Sequence, residues 1–326
     1  MIDTQAIFKI KTKSDFEKMA LEVFKFQFRN NKVYRSFCDL INRDPSDVKT
    51  IKDIPFLPIQ FFKTHNVLSS KESIEATFTS SGTTGSTTSK HYVTNLELYK
   101  HSFTEGFAHF YGNIEDYTIL ALLPSYLERE GSSLIYMVDN FIKQSHSANS
   151  GFYLNNLSEL TSTLKKLDSI GKKILLIGVS FALLDLVESY KFNLKNTIIM
   201  ETGGMKGRRK ELIRAELHDK LKEGFGVETI HSEYGMTELL SQAYSKGEGA
   251  FNCPKWMRVL TRDTEDALSI QNYEQTGGIN IIDLANINSC SFIATQDLGK
   301  VYKDGSFEIV GRFDNSDIRG CNLMVL

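Results

Sequence analysis

The sequence predicts an α/β protein on a largely parallel sheet, with a smaller antiparallel β element towards its end. Three observations carry that reading. Short apolar runs that read as buried strands alternate with helical stretches through the middle of the chain. Of the 326 residues 41% are apolar, with 22 Phe and 13 Tyr, which is ample for a core and excludes wholesale disorder. The last quarter changes to a strand followed by a hairpin.

Each element has its own signal. In Asp15 to Arg29 the apolar positions Phe16, Met19, Ala20, Val23, Phe24 and Phe28 fall at helical steps, with Ser14 as N-cap and Glu17 as its capping-box partner. Ile54 to Lys63 reads as extended, because each Pro biases its predecessor away from helix. Thr77 to Thr79 reads as a strand end and Leu96 to Tyr111 as a helix. Thr118 to Leu123 is a buried strand stopped by Pro124, Ser158 to Leu167 a helix, and Lys173 to Val179 a second buried strand. Asn196 to Glu201 is a third strand, ending at Gly203-Gly204. Lys206 to Lys222 is a charged helix and Val227 to Ser232 a strand. Ile279 to Leu284 is a strand, and Val301 to Val310 a hairpin turning at Asp304-Gly305. The expected organisation is one large domain over 1–326, with an α/β core over about 1–275 and a smaller β-rich portion with a tail over about 276–326.

Charge and cysteine usage narrow the function classes. Lys and Arg total 38 against 40 Asp and Glu, a net charge of −2, so no bulk field favours nucleic acid or an anionic membrane. The most apolar stretch, Ile174 to Leu184, is about half a membrane span, so no stable membrane insertion is expected. The four cysteines, Cys38, Cys253, Cys290 and Cys321, have neither disulfide-framework nor zinc spacing. With no apolar leader at the start, a reducing cytoplasm is the expected compartment.

Three stretches could carry chemistry. The first is Thr79 to Ser89, where Gly82 and Gly85 sit among Ser80, Ser81, Thr83 and Thr84. Glycines let backbone wrap a phosphate and the hydroxyls supply donors, although a plain surface loop has the same composition. The second is Glu233-Tyr234-Gly235-Met236-Thr237-Glu238. An aromatic beside Gly can stack on a base and a carboxylate can hold a divalent ion, but a core aromatic and a helix-start charge would look alike. The third joins Gln296-Asp297-Leu298-Gly299 to Gly311-Arg312-Phe313-Asp314, where a carboxylate can accept from both hydroxyls of a ribose. Taken singly, a solvated Asp and a surface Arg explain these as well.

In this fixed order the blocks resemble those of the adenylate-forming (ANL) superfamily. Within it, the chain resembles the LuxE-like acyl-protein synthetases, on Ile54 to Lys63, Leu123 to Ser133, His231 to Gln242 and Arg319-Gly320-Cys321. The resemblance implies an adenylate-forming large domain without the usual small C-terminal domain. It also implies ATP and Mg²⁺, a fatty acid or related carboxylate as substrate, and an acyl-accepting partner protein such as a reductase or carrier. Ser80, Ser81, Gly82, Thr83, Thr84 and Gly85 would hold the β- and γ-phosphates. Gly203, Gly204 and Tyr234 would flank the adenine, Thr237 would approach the α-phosphate and Glu238 would bind Mg²⁺. Asp297 would hold the ribose hydroxyls with help from Arg312.

Two departures stand out. Lys90 lies further behind Gly85 than the superfamily's loop lysine, and Ile318-Arg319 stands where Ile-Lys is usual. A cation must meet the charge that develops at the α-phosphate, and Lys206, Arg208, Arg209 and Arg319 are the candidates, with Lys206 foremost because it follows the adenine-side glycines. Cys321 follows Arg319 and Gly320, a setting that favours thiolate and a backbone free to bend, and by the resemblance it accepts the acyl group. The plain alternative for Cys321 is a small buried hydrophobe. Phe103, Phe107, Phe110, Tyr126, Tyr136 and Met137 read as core ahead of acyl pocket. Two other functions are carried: transfer of the acyl group to CoA, a carrier protein or another acceptor, and a non-catalytic nucleotide- or acyl-binding module.

Overall fold

A computed structural model describes residues 2–81, 87–124, 131–203 and 212–313. It divides by contacts into two compact units, one formed by 1–73 with 255–326 and the other by 74–254.

The unit 74–254 is the α/β part. Its parallel strands lie in the order Gly151–Phe152, Thr118–Leu122, Ile174–Val179, Thr197–Thr202 and His231–Tyr234, and Ala243–Ser245 then pairs antiparallel to the last. Leu120 faces Leu176 across one pair and Ile177 faces Met200 across the next. Every residue of Thr118–Leu122 and Ile174–Val179 is buried, as expected of parallel strands covered on both faces. Five helices accompany them: Leu96–Tyr111, Ser133–Gln144, Leu157–Ser169, Ser180–Ser189 and Arg214–Phe225. The first has the bounds expected of it, and its N-cap Asn95 accepts a hydrogen bond from the Leu98 amide. Tyr99, Phe103, Phe107, Phe141 and Tyr244 form a buried aromatic core against it, with Tyr136 stacked on Tyr99 and Phe110 against Tyr244. Tyr126 lies outside the described residues.

The unit 1–73 with 255–326 is β-rich. Met257–Arg262, Gly277–Asp283, Phe292–Val301 and Phe307–Arg312 run antiparallel in that order, and Leu57–Pro58 pairs parallel to Phe292–Val301. Val301 faces Phe307 across the turn at Asp304-Gly305, as the sequence predicts. Helix Lys13–Asn30 is tied in by Gln27, whose Nε2 donates to the Ile287 carbonyl at 2.9 Å while its Oε1 accepts from the Ser291 amide at 2.9 Å.

Four expectations need correction. The capping box of the first long helix is Thr12 with Asp15, not Ser14 with Glu17, because the Thr12 hydroxyl accepts from the Asp15 amide and the Asp15 carboxylate from the Thr12 amide. Ile54 to Lys63 is extended only at Leu57–Pro58 and then turns into the helix Phe61–Thr64, since nothing after Pro58 forbids helical backbone. The charged helix starts at Arg214 and runs to Phe225, and the following strand begins only at His231. Glu238 lies in a turn, so the plain alternative of a helix-start charge does not hold.

Candidate functional site

In the unit 74–254 two of the three motif stretches converge on one cleft. Strands Ala76–Thr79 and Lys90–Val93 form a hairpin, with Thr79 opposite Lys90. Just beyond the paired strands, the Ser80 amide donates to the Ser89 carbonyl and the Ser80 hydroxyl accepts from the Ser89 amide. Lys90 is exposed on this hairpin. Strand His231–Tyr234 leads straight into Gly235-Met236-Thr237-Glu238. A long-range bond joins the hairpin to this turn. The buried His91 donates from Nδ1 to the Thr237 carbonyl at 2.8 Å, which fixes its proton on that nitrogen.

The cleft is a concave pocket open to solvent at its mouth. Thr79 and Ser81 line it from the hairpin, Thr202 and Gly203 from the end of strand Thr197–Thr202, and Glu233, Gly235, Met236 and Thr237 from the turn side. Ser132, Ser133 and Met137 close another wall at the start of helix Ser133–Gln144. The ends of two adjacent parallel strands thus supply the wall, where open α/β sheets commonly bind ligands.

Of the expected site residues, the structure gathers Ser81, Gly203 and Thr237 at this cleft, with Ser80 at the hairpin end. Tyr234 ends its strand and packs on Phe251, with ring centroids 5.7 Å apart. Glu238 is buried, 4% exposed. Gly82, Thr83, Thr84, Gly85, Gly204, Lys206 and Cys321 lie outside the described residues, as do Arg208, Arg209 and Arg319. Asp297 and Arg312 belong to the other unit, where they face each other across two strands and Arg312 Nε meets Asp297 Oδ1 at 2.7 Å. Of the three described cysteines, Cys38 and Cys290 are buried, and burial pushes each thiol up to about 12, while Cys253 is half-buried.

The Mg²⁺ expectation can be tested against the donors. Among the described residues no group of three or more His, Cys, Asp or Glu is arranged to hold a metal. A magnesium site built on substrate phosphates needs only one or two protein carboxylates, and the buried Glu238 beside Thr237 offers oxygen donors of that kind. Glu238 thus supplies one carboxylate of that kind next to a residue of the cleft, although it does not itself line the cleft.

A buried acidic pair behind the cleft was not legible in the sequence. Glu201 and Glu233 sit on neighbouring parallel strands. Glu201 accepts from Ser180 Oγ and Ser232 Oγ, each at 3.0 Å, and lies 3.6 Å from His218 Nε2 and 3.9 Å from Arg214 Nε. Glu233 accepts from Thr202 Oγ1 at 2.5 Å and itself lines the cleft. Burial, with the Glu201 charge adding to it, raises the Glu233 carboxyl to about 7 despite the Thr202 bond. A Cβ at Gly235 would fall on Glu233 Oε1, so the glycine is what lets that carboxyl sit beside the turn. The one available signal was the acidic residue directly before Tyr234-Gly235.

Comparison with known proteins finds relatives in sequence and in fold. Residues 7–107 match the family model described as acyl-protein synthetase, LuxE. The long-chain-fatty-acid–luciferin-component ligase of Vibrio harveyi is 24% identical over 92% of this chain and 84% of its own length. The enzyme of the same name from Photorhabdus luminescens is 37% identical over 21% of this chain and 60% of its own. Among solved structures, ATP-bound MatB from Rhodopseudomonas palustris aligns with TM-score 0.53 and 16% identity, over 74% of this chain and 49% of that one. A 2-hydroxyisobutyryl-CoA ligase in complex with 2-HIB-AMP and CoA aligns with TM-score 0.66 and 13% identity, over 97% of this chain and 73% of that one. The chain thus spans about half the length of the first structure and about three quarters of the second. No described helix is long and apolar enough to cross a membrane. In sequence the chain is similar to the LuxE acyl-protein synthetases, and its fold is that of the adenylate-forming ligases.

Proposed function

We propose that the chain activates a fatty or related carboxylic acid with ATP and then carries the acyl group on Cys321. A substrate carboxylate oxygen attacks the α-phosphorus and pyrophosphate leaves, giving the acyl-adenylate. The Cys321 thiolate then attacks the acyl carbon and AMP leaves with the electron pair, giving a thioester. A partner protein such as a reductase or carrier takes the acyl group on, in a reducing cytoplasm.

The observation that carries this reading is the cleft in which the hairpin residues Thr79 and Ser81 meet Gly203 and Gly235 to Thr237. These come from three separated stretches, each of which resembles a nucleotide-binding block of the adenylate-forming enzymes. Names of curated relatives supply the acid class, since both are called long-chain fatty acid ligases. Within the reading, Ser80 to Gly85 hold the outer phosphates, Gly203, Gly204 and Tyr234 flank the adenine, and Asp297 with Arg312 holds the ribose. Thr237 approaches the α-phosphate. Glu238 holds Mg²⁺, which when bound neutralises phosphate charge. Lys206 meets the charge developing at the α-phosphate.

The acyl-transfer half is tested by incubating the chain with labelled fatty acid and ATP and following label on the protein. A thiol-labile label that disappears in Cys321→Ser and persists in Cys253→Ser and Cys290→Ser is expected. A thiol-labile label surviving in Cys321→Ser contradicts the assignment. Unchanged adenylate formation in Lys206→Ala would remove Lys206 from the mechanism.

A further inference from the structure

The ribose assignment rests on Asp297, and the β-rich unit contains an unusual device behind that residue. Arg262, at the end of strand Met257–Arg262, is 8% exposed, and among the described residues its guanidinium has no ion-pair partner within 4.0 Å. Its bonds instead go to the backbone and amides of the two neighbouring strands. Nη1 donates to the Ile279 carbonyl and to Asn280 Oδ1, each at 2.8 Å, and Nη2 donates to the Thr295 carbonyl at 2.6 Å. Burying a guanidinium without a bonded carboxylate is costly, and burial lowers its pKa to about 10, while the nearby Asp297 charge pulls it back up.

The fold makes room for this group. Gly278 pairs with Arg262 across the sheet, and a Cβ there would come within 2.8 Å of the guanidinium. The register then shifts between Gly278 and Asn280, a bulge of the kind that re-aims side chains. The bonds lead on to Asp297. Thr295, held by Arg262 at its carbonyl, donates from Oγ1 to the same Ile279 carbonyl that Arg262 holds, and its Oγ1 accepts from the Asp297 amide at 3.1 Å. Asp297 is itself 5% exposed, and on its open side it meets Arg312, whose side chain is 77% exposed.

We propose that Arg262 is a positioning residue for Asp297: through Thr295 it fixes the backbone that aims the carboxylate, and it supplies a permanent buried positive charge on the side away from Arg312. Rotating an exposed Arg312 away leaves this arrangement in place, because none of the Arg262 bonds involves Arg312. The inference rests on the reading of Asp297 as the residue that accepts the ribose hydroxyls.

The test compares ATP with 2′,3′-dideoxy-ATP, which lacks both hydroxyls, in acid-dependent ATP–pyrophosphate exchange by the full chain. Arg262→Gln is expected to raise KM for ATP about tenfold with little change in kcat, and to change KM for the dideoxy nucleotide by about threefold or less. Arg262→Lys keeps the charge and is expected to recover part of the loss. Thr295→Val, which removes only the hydroxyl link, keeps the question open to measurement if Arg262→Gln does not fold, and it too is expected to penalise ATP selectively. Equal losses on the two nucleotides in Arg262→Gln and Thr295→Val would overturn the proposal and leave Arg262 a fold-stabilising residue. Asp297→Ala is the arm that separates the two readings. If it also fails to penalise ATP over the dideoxy nucleotide, the ribose assignment itself falls, and this inference with it.

Discussion

Two buried carboxylates, Glu233 in one compact unit and Asp297 in the other, have opposite surroundings. In the unit 74–254, Glu233 feels the charge of Glu201 on the neighbouring strand, has a neutral hydroxyl as its bonded partner, and is raised to about 7. In the β-rich unit, Asp297 has one guanidinium bonded at 2.7 Å and another buried behind it. An acid kept protonated near neutrality can donate a hydrogen bond, whereas a carboxylate between two cations can only accept. An acceptor suits a diol, and a protonated acid lining a cleft leaves that wall without a full negative charge where the proposed anionic substrate would enter. Glu238, buried in the turn that follows Tyr234, is the residue the proposed reaction asks to meet Mg²⁺.

Substitutions can break this contrast, and the largest effect is expected at Glu238. Glu238→Ala should lower the exchange rate by about a hundredfold or more, because it removes the carboxylate assigned to the metal. A titration of Mg²⁺ should then require far higher concentrations in the variant, and an unchanged Mg²⁺ dependence would remove that role.

Next comes Glu233→Gln, whose readout is stability against pH. The folded-state pKa is raised from 4.5 to about 7, so the native state binds the proton more tightly than the unfolded chain. The wild type should therefore lose stability as pH rises from about 4.5 through 7, then level off, by up to ~3 kcal/mol. Glu233→Gln lacks that loss, so urea unfolding at pH 5 and pH 8 should show the variant gaining on the wild type at the higher pH. Parallel pH curves would mean that Glu233 ionises as it does in water.

A smaller effect is expected from Asp297→Asn, which keeps the shape and removes the charge. KM for ATP should rise about tenfold while kcat stays within a few-fold, since the lost interaction is one of binding. The smallest is expected from His91→Phe, which takes away the Nδ1 donor to the Thr237 carbonyl. A loss of about threefold to tenfold in kcat, with KM for ATP little changed, is the expected outcome.

The fold was legible wherever a local pattern decided it. The helix Leu96–Tyr111 and the buried strands Thr118–Leu122 and Ile174–Val179 follow from spacing and apolar runs, and Asp304-Gly305 marks its hairpin. The capping box slipped because Thr12/Asp15 and Ser14/Glu17 have the same spacing, and only the helix start distinguishes them. At the site, the small-residue run and Tyr234 to Glu238 were visible as motifs, and the cleft confirms that Ser81, Gly203 and Thr237 come together. His91, Glu201, Glu233 and Arg262 were invisible for one physical reason. Each acquires its environment from a neighbouring strand or a distant turn, so sequence spacing contains no trace of the contact.

The central claim, activation of an acid through its adenylate, is tested most directly by ATP–pyrophosphate exchange across a panel of carboxylic acids. The account predicts exchange of labelled pyrophosphate into ATP that needs both Mg²⁺ and an acid, is strongest with fatty acids, and survives in Cys321→Ser. Exchange that no acid stimulates, with ATP still bound, would contradict it and leave a nucleotide-binding module in its place.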